Sequence, residues 1–424
     1  MRFLCLSRVS EITHRHTFTF TQALHTPRRV PHGGGLKGRH AHGELEAHVS
    51  RLPPVSFYRC EMDACGEPGH VPPPKRARLG CLQFKCPLRA AVYYSKGRKQ
   101  ALEDVAVYNV ALDADGLATW HAVLDGHGGA QCATLAATRL PALIAEGIRG
   151  IEASGIEASI AIKEAIKAAF TTCEREVLPL VDDGCCVIGM LVDRRCTPAR
   201  AYVANLGDSR AFACVEPAAA TAGAAAGTST SVEVLPLATA PSCAAPAVRA
   251  IALSKDHVAT DLKERRRIEV AGGVVEHGRV CGMLEVTRSI GDRHVKQRLR
   301  KGESAKGEGI SAVPDVTSFA VGLEQRFVLM ASDGFWKAWT SSEAIEVLHA
   351  RLCAMDRRRE VLATALDEPT AASALTREAH AALIKEREGA TEEGCLKEMV
   401  HEAVHMRHAK DNVTALLVRM PPAP

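Results

Sequence analysis

The chain has 424 residues, 46% of them hydrophobic, 24% charged and only 4% aromatic. These are globular averages, so wholesale disorder and a fibrous repeat are excluded, and no apolar run nears the ~18–20 residues of a membrane span. The formal net charge of +4 is unevenly held: residues 1–100 carry 17 Lys/Arg against six Asp/Glu, and the remaining 324 carry 36 against 43.

A split of this size separates a basic tail from an acidic folded body. The acidic body argues against a nucleic-acid-binding core and suits cations. Residues 1–88 mix Arg, His, Pro and Gly without a sustained period and read as a disordered N-terminal extension. The first 43 residues hold seven Arg/Lys and the single acid Glu11, the composition of an organellar transit peptide and equally of any basic tail. Lys75-Arg76-Ala77-Arg78 reads as a nuclear-import signal or as a solvated basic linker. Cys60, Cys65, Cys81 and Cys86 form two C-x4-C pairs around His70, but this is looser than usual zinc spacing, so unpaired reduced thiols are the expectation. Fifteen cysteines without regular spacing or a signal peptide predict a reducing compartment, cytoplasmic and/or nuclear, with organellar targeting by the extension as the alternative.

From residue 89 to 421 the sequence reads as one folded domain. Strands are predicted over Ala90–Ser95, Val105–Val110 and Leu117–Leu124, the last followed by a Gly-rich turn. Ile162, Ile166, Ala169, Phe170, Cys173 and Val177 mark one face of a helix. Cys186–Val192 and Ala201–Asn205 are strand-like, and Arg210–Cys214 returns. Residues 217–246, rich in Ala, Thr, Ser and Gly, read as an insertion between strands. Arg326–Ala331 is a buried-type strand, and Thr340-Ser341-Ser342-Glu343 has the spacing of a capping box. Residues 351–394 read as an elaborated helix and loop. Leu396, Met399, Val400, Ala403 and Val404 line a helix, and Val413–Val418 is a final strand. Many strands with a few long helices predict a sheet-based α+β domain.

The acids fall at strand edges. Asp125 follows an apolar strand, Asp333 follows another, Asp411 precedes the last, Glu103-Asp104 stands before a fourth, and Asp208 sits in the turn Gly207-Asp208-Ser209. Each alone reads as a turn former. If the strands are neighbours, these carboxylates converge on one end of the sheet, and a divalent cation resolves their repulsion. Oxygen donors with no His or Cys partner select Mg²⁺ or Mn²⁺.

Asp125-Gly126-His127-Gly128-Gly129, Asn205 through Ala211, Leu253-Ser254-Lys255-Asp256-His257, Ala271-Gly272-Gly273, Thr287 through Asp292, Ser332-Asp333-Gly334-Phe335-Trp336 and Asp411-Asn412-Val413-Thr414 stand in a fixed order. In that order they resemble the metal-dependent (PPM/PP2C-type) serine/threonine phosphatases, over about Ala90 to Met420. The run from Glu264 to Asp292 looks like the integrin-linked-kinase-associated branch. The resemblance implies a central β-sandwich of two antiparallel sheets flanked by helices, with a two-metal site at one end and a weaker third cation. It implies that Asp125 bridges both metals, that Asp333 and Asp411 complete one, and that Glu103 and the Gly126 carbonyl serve the other. Asp104 is expected to orient metal-bound water, and Asp208 to face the third metal. The implied reaction is direct attack of a two-metal-activated water on phosphoserine or phosphothreonine in protein substrates, with His127 as general acid.

Five residues depart from the family pattern. Lys99 stands where an Arg usually holds the substrate phosphate, with Arg98 beside it as the alternative; lysine supplies a point charge without the bidentate fork. Leu102 replaces a Met, Gly184-Cys185-Cys186 replaces Gly-Ser-Thr, and Lys337 replaces an acid. Buried inert thiols are expected of the Cys pair, and a structural role of Asp292. The leading reading is an active phosphatase, monomeric by default, with no membrane or nucleic-acid partner. The competing readings are a catalytically silent scaffold that binds phosphoproteins and a tail-driven binder.

Overall fold

A computed structural model describes residues 88–151, 155–217, 248–300, 309–322, 324–367, 384–386 and 389–420. The N-terminal extension, its cysteines and basic run, most of the 217–246 insertion and residues 368–383 lie outside the described residues.

Thirteen strands and seven helices are described. The strands are β1 (Ala90–Ser95), β2 (Val105–Ala111), β3 (Ala118–His127), β4 (Gly184–Asp193), β5 (Arg200–Leu206), β6 (Arg210–Val215), β7 (Arg249–Ala252), β8 (Val275–Glu276), β9 (Arg279–Val280), β10 (Ile290–Gly291), β11 (Asp315–Ala320), β12 (Gln325–Ala331) and β13 (Val413–Arg419). The helices are α1 (Gln131–Ile148), α2 (Ile156–Val177), α3 (Leu262–Val270), α4 (Arg293–Arg300), α5 (Asp333–Ala338), α6 (Ser341–Asp367) and α7 (Glu392–His405). One sheet has the order β1-β13-β12-β6-β7 and the other β11-β5-β4-β3-β2, with β10 also paired to β4. All their pairings are antiparallel.

The central strands are apolar on both faces because both faces are covered. In β3, Ala118, Trp120, Ala122 and Leu124 pack toward α1 and α2, while Val123 joins the layer between the sheets. In β12, Phe327, Leu329 and Ala331 pack toward α5, α6 and α7, and Val328 and Met330 face inward. The result is helix, sheet, sheet, helix, as expected. Among the described residues no helix is long and apolar enough to cross a membrane.

Several elements exceed the sequence expectation. Strand β3 continues through Asp125, Gly126 and His127, because each pairs with β4 at Cys186, Cys185 and Gly184. Helix α1 is an addition that the sequence pattern does not display: Pro141 interrupts it, and the first half of its buried face is small, with Cys132, Ala133, Ala136 and Ala137. Its N-terminus receives no local cap; the Asp183 carboxylate accepts from the Gln131 and Cys132 amides at 2.7 and 3.1 Å. Strands β7, β10 and β11 and the short β8–β9 hairpin are further additions.

The segment carrying that hairpin is tied to the sandwich by a buried ion cluster. The Glu264 carboxylate accepts from Thr287 Oγ1 at 2.6 Å, Arg267 at 2.7 Å and Arg288 at 2.6 Å. Arg288 also donates to Asp315 at 2.8 Å, reaching edge strand β11. Burial would raise the Glu264 pKa, but Arg288, Thr287 and Arg267 together pull it down to about 2. Removing one member of a buried charge cluster strands the others, so Glu264→Gln is expected to lower unfolding stability by about 3 kcal/mol in urea titration. A depressed folded pKa contributes stability that is complete above the unfolded value and is lost as pH falls from about 4.5 toward 2. The variant's acid-unfolding curve should therefore be flatter in that window.

Candidate metal-dependent active site

The strand registers bring all the predicted acids to one end of the sandwich. Ala331, two residues before Asp333, pairs with Ala415 near the start of β13, which Asp411 precedes. Ala331 also pairs with Arg210 at the start of β6, just past Asp208. Ser95 at the end of β1 pairs with Val413, so the loop from Lys96 to Asp104 starts at this same end. In the other sheet, Val105 pairs with Leu124, which sets Glu103-Asp104 beside Asp125.

Asp125, Asp208 and Asp333 each offer a carboxylate oxygen within 4.8 Å of the others, and all three are half-buried. Asp125 accepts from the Asp333 amide at 3.2 Å and from Ser209 Oγ at 3.4 Å. Burial and then the charges of Asp104, Asp333 and Asp208 push its pKa well up. Burial, followed by Asp333, pushes Asp208 to about 6. Asp104 is also raised to about 6, by burial first and then by Asp333 and Asp411, against hydrogen bonds from Thr414 and Ser332. Its Oδ2 accepts from Thr414 Oγ1 at 2.7 Å, whereas its Oδ1 is buried without a hydrogen-bond partner.

Glu103 and Asp411 lie on the other side, with the Lys99 ammonium between them, 2.9 Å from Asp411 and 3.7 Å from Glu103. Arg98 instead lies near the His408 ring at 3.5 Å. Of the two basic candidates, Lys99 is the one beside the acids. Lys337 is ion-paired with Asp333.

This donor set fits hard divalent cations. Burial and neighbouring charges raise the Asp104, Asp125 and Asp208 carboxyls, an orphaned buried oxygen stands among them, and among the described residues no thiolate or imidazole joins the three-acid cluster. Gly126 is needed for the fit: a Cβ there would stand 2.4 Å from the Glu103 carbonyl oxygen. Gly97, at φ +58°, lets the loop pass the Asp411 carbonyl, which a Cβ would meet at 2.1 Å.

His127 is held from across the chain. Its Nε2 lies 2.9 Å from both carboxylate oxygens of Asp292. Burial alone would lower the His127 pKa; the Asp292 bond and charge outweigh it and raise it. Asp292 is itself fixed by its amide bond to the Asp183 carbonyl at 3.0 Å and by the Ser289 hydroxyl. The expected structural role of Asp292 thus has a definite object, the orientation of His127, a pairing that no sequence spacing signals.

Asn412 is the second residue whose work the sequence does not display. Its side chain accepts from the Glu103 amide at 2.7 Å and donates to the carbonyls of Lys96 and Ala101 at 2.9 and 3.0 Å. It fastens the loop bearing Lys99 and Glu103 to the residue after Asp411. Beside the acids opens a cleft of about 340 Å³, whose walls include Asp208, Arg210, Arg279, Asp333, Trp336 and Lys337.

The chain is similar to known proteins. The family model described as Protein phosphatase 2C matches residues 91–230 and 243–386. The integrin-linked kinase-associated serine/threonine phosphatase 2C of Bos taurus is 29% identical over 357 residues, covering 78% of this chain and 77% of its own. The protein of that name from Homo sapiens is 28% identical over 309 residues, covering 71% of this chain and 62% of its own. The crystal structure of serine-threonine phosphatase 2C from Toxoplasma gondii superposes with a TM-score of 0.51 at 15% identity, over 78% of this chain and 94% of that one. A sex-determining protein of C. elegans gives 0.52 at 18% identity, over 80% and 66%. At such identities the two structures speak for the fold.

Replacing Asn412 by Ala removes the bonds it makes to the Glu103 amide and the Ala101 carbonyl, leaves the Lys96 carbonyl with only the Lys99 amide, and frees the Glu103 loop. Losing a residue that holds a metal ligand in place weakens metal binding about 10–100-fold. Calorimetric titration of Asn412→Ala with Mn²⁺ is expected to show a loss in that range, with the Glu264 cluster intact.

Proposed function

This chain belongs to the protein phosphatase 2C family, and from that premise we propose that it hydrolyses phosphoserine and phosphothreonine in proteins with Mg²⁺ or Mn²⁺ as cofactor. The observation that carries the reading is the convergence of six carboxylates, from five separate chain segments, on one end of the sandwich. Asp125, Asp333 and Asp411 would hold one cation, and Asp125, Glu103 and the Gly126 carbonyl the other, with Asp208 on the flank. Bound there, the cations supply the charge that acidifies water and shields the phosphoryl oxygens.

The chain's own side chains account for the remaining work. Lys99 supplies three N–H donors and a positive charge for a phosphoryl oxygen, without the planar grip of an arginine. Asp104, buried and with a pKa near 6, orients a water through the oxygen that lacks a protein partner. His127 donates a proton to the departing serine or threonine alkoxide, a poor leaving group until protonated. Asp292 holds that ring by Nε2, which leaves Nδ1 for another partner. No thiol enters the scheme. Burial keeps the Cys186 thiol protonated, and the Cys132 contact and burial do the same for Cys185.

Phosphate release from a phosphothreonine peptide should require Mn²⁺ or Mg²⁺ and vanish in EDTA. Asp125→Asn should lower it by roughly a hundredfold or more, since the residue shared by both cations is lost. A folded wild type silent with both metals sinks this reading and leaves the phosphoprotein-binding scaffold in its place. The role of His127 has its own test in the leaving group. His127→Gln should cost about 10²–10⁴ on the phosphothreonine peptide and much less on p-nitrophenyl phosphate, whose phenolate leaves without a proton. Equal losses on both substrates would remove the proton-donor assignment.

A further inference from the structure

We propose that Lys337 is a built-in counter-cation of the acidic cluster, and that the site consequently takes up two divalent cations and no third. The inference rests on the metal-dependent reading above and extends it to stoichiometry.

Lys337 stands one turn beyond Asp333 on α5, and its ammonium is bonded to Asp333 Oδ2. It also acts electrostatically on Asp208, and the two side chains line the same cleft. On this flank, therefore, one of the two Asp333 oxygens is already engaged by a fixed positive charge. Asp208, the carboxylate that shares this flank of the cluster, receives the Cys186 thiol at 3.6 Å on its Oδ1. A hard divalent ion wants six or more oxygen ligands, most readily carboxylates and water. The flank offers Asp208 and half of Asp333, with an ammonium where a further ligand would have to stand; the other two carboxylates of the cleft, Asp256 and Glu285, are ion-paired with Arg210 and Arg279.

The charge balance points the same way. The resting site gathers six carboxylates, those of Glu103, Asp104, Asp125, Asp208, Asp333 and Asp411. Two divalent cations neutralise four of these charges. Lys99, against Asp411 and Glu103, and Lys337, against Asp333, neutralise the other two. The buried Asp104 Oδ1, which has no protein partner, marks independently that this end of the sandwich is built around a non-protein partner. Lys337, unlike Lys99, lines the cleft beside Asp208, so its charge is set against a further cation on that flank.

The test counts bound metal, independently of turnover. Equilibrium dialysis of the full chain against Mn²⁺, read by electron paramagnetic resonance, is expected to give two ions per wild-type chain and two for Lys337→Arg, which keeps the charge. Lys337→Asp should bind a third, at least about tenfold more tightly than any third uptake by wild type, because a carboxylate replaces the repelling ammonium. Lys337→Gln, a milder change, should move in the same direction. A larger Mn²⁺-induced rise in melting temperature for Lys337→Asp than for wild type reads the same difference in the folded protein. Three ions in wild type, or two in both Lys337→Asp and Lys337→Gln, would overturn the role of Lys337 and leave the metal-dependent reading standing. No uptake by wild type would sink that reading itself, and Asp125→Asn provides the reference for a dismantled site.

Discussion

Like charges held together are the constraint on which this structure turns. Asp104, Asp125 and Asp208 are buried close enough to neighbouring carboxylates, Asp333 among them, that burial and those charges push their pKa values upward. Nothing local to any of these segments favours that arrangement, since a free loop would swing its carboxylate into water. The carboxylates stay because each is bolted to the end of a strand, and the strands are locked by apolar layers on both faces. The free energy gained in those layers offsets an electrostatic cost concentrated at one end. Site and core are thus two sides of one balance, in which a rigid scaffold preorganises a charge that binding later relieves.

Antiparallel pairing suits this task for a geometric reason. Where a strand ends, its neighbour begins, so residues far apart in sequence meet wherever loops leave the same edge. Asp333 leaves β12 where Asp411 enters β13, and Asp208 lies just before β6, on the other side of β12. The loops then need fastening of their own, because a metal ligand on a loose loop is a poor ligand. Asn412 fastens Glu103, Thr414 and Ser332 fasten Asp104, and Asp292 fastens His127. Several of these fasteners are buried polar residues whose hydrogen bonds are mostly satisfied within the protein.

This division explains what was legible beforehand. The strands were readable because runs such as Phe327–Ala331 are apolar throughout, and the acids because glycines and turns mark the strand ends. Convergence itself was not readable, because it depends on strand order, which spacing does not encode. The pairing of His127 with Asp292 spans 165 residues and leaves no local trace. Helix α1 was hidden by Pro141 and by alanines that pack well yet give a weak periodic signal. The β8–β9 hairpin is too short for alternation to register. The choice between Lys99 and Arg98 was likewise open in one dimension and is settled, as to which lies beside the acids, by the loop that Gly97 and Asn412 shape.

The same constraint acts on the cysteines that stand beside the site. Cys186 lies 3.6 Å from Asp208, within reach of a cluster already crowded with negative charge. A thiolate there would add to the repulsion, so burial and the neighbouring Asp208 and Asp125 hold it as the neutral thiol. Cys185 faces away, toward Cys132 at 3.6 Å, in the layer beneath α1. In a compact, dry and acidic setting sulfur behaves as a small apolar filler with a weak donor. The cysteine pair therefore changes the packing beneath the metal-binding edge and leaves its charge alone, whereas Lys99 and Lys337 change its charge directly. Of the departures from the family pattern, the two lysines are the ones that bear on the chemistry.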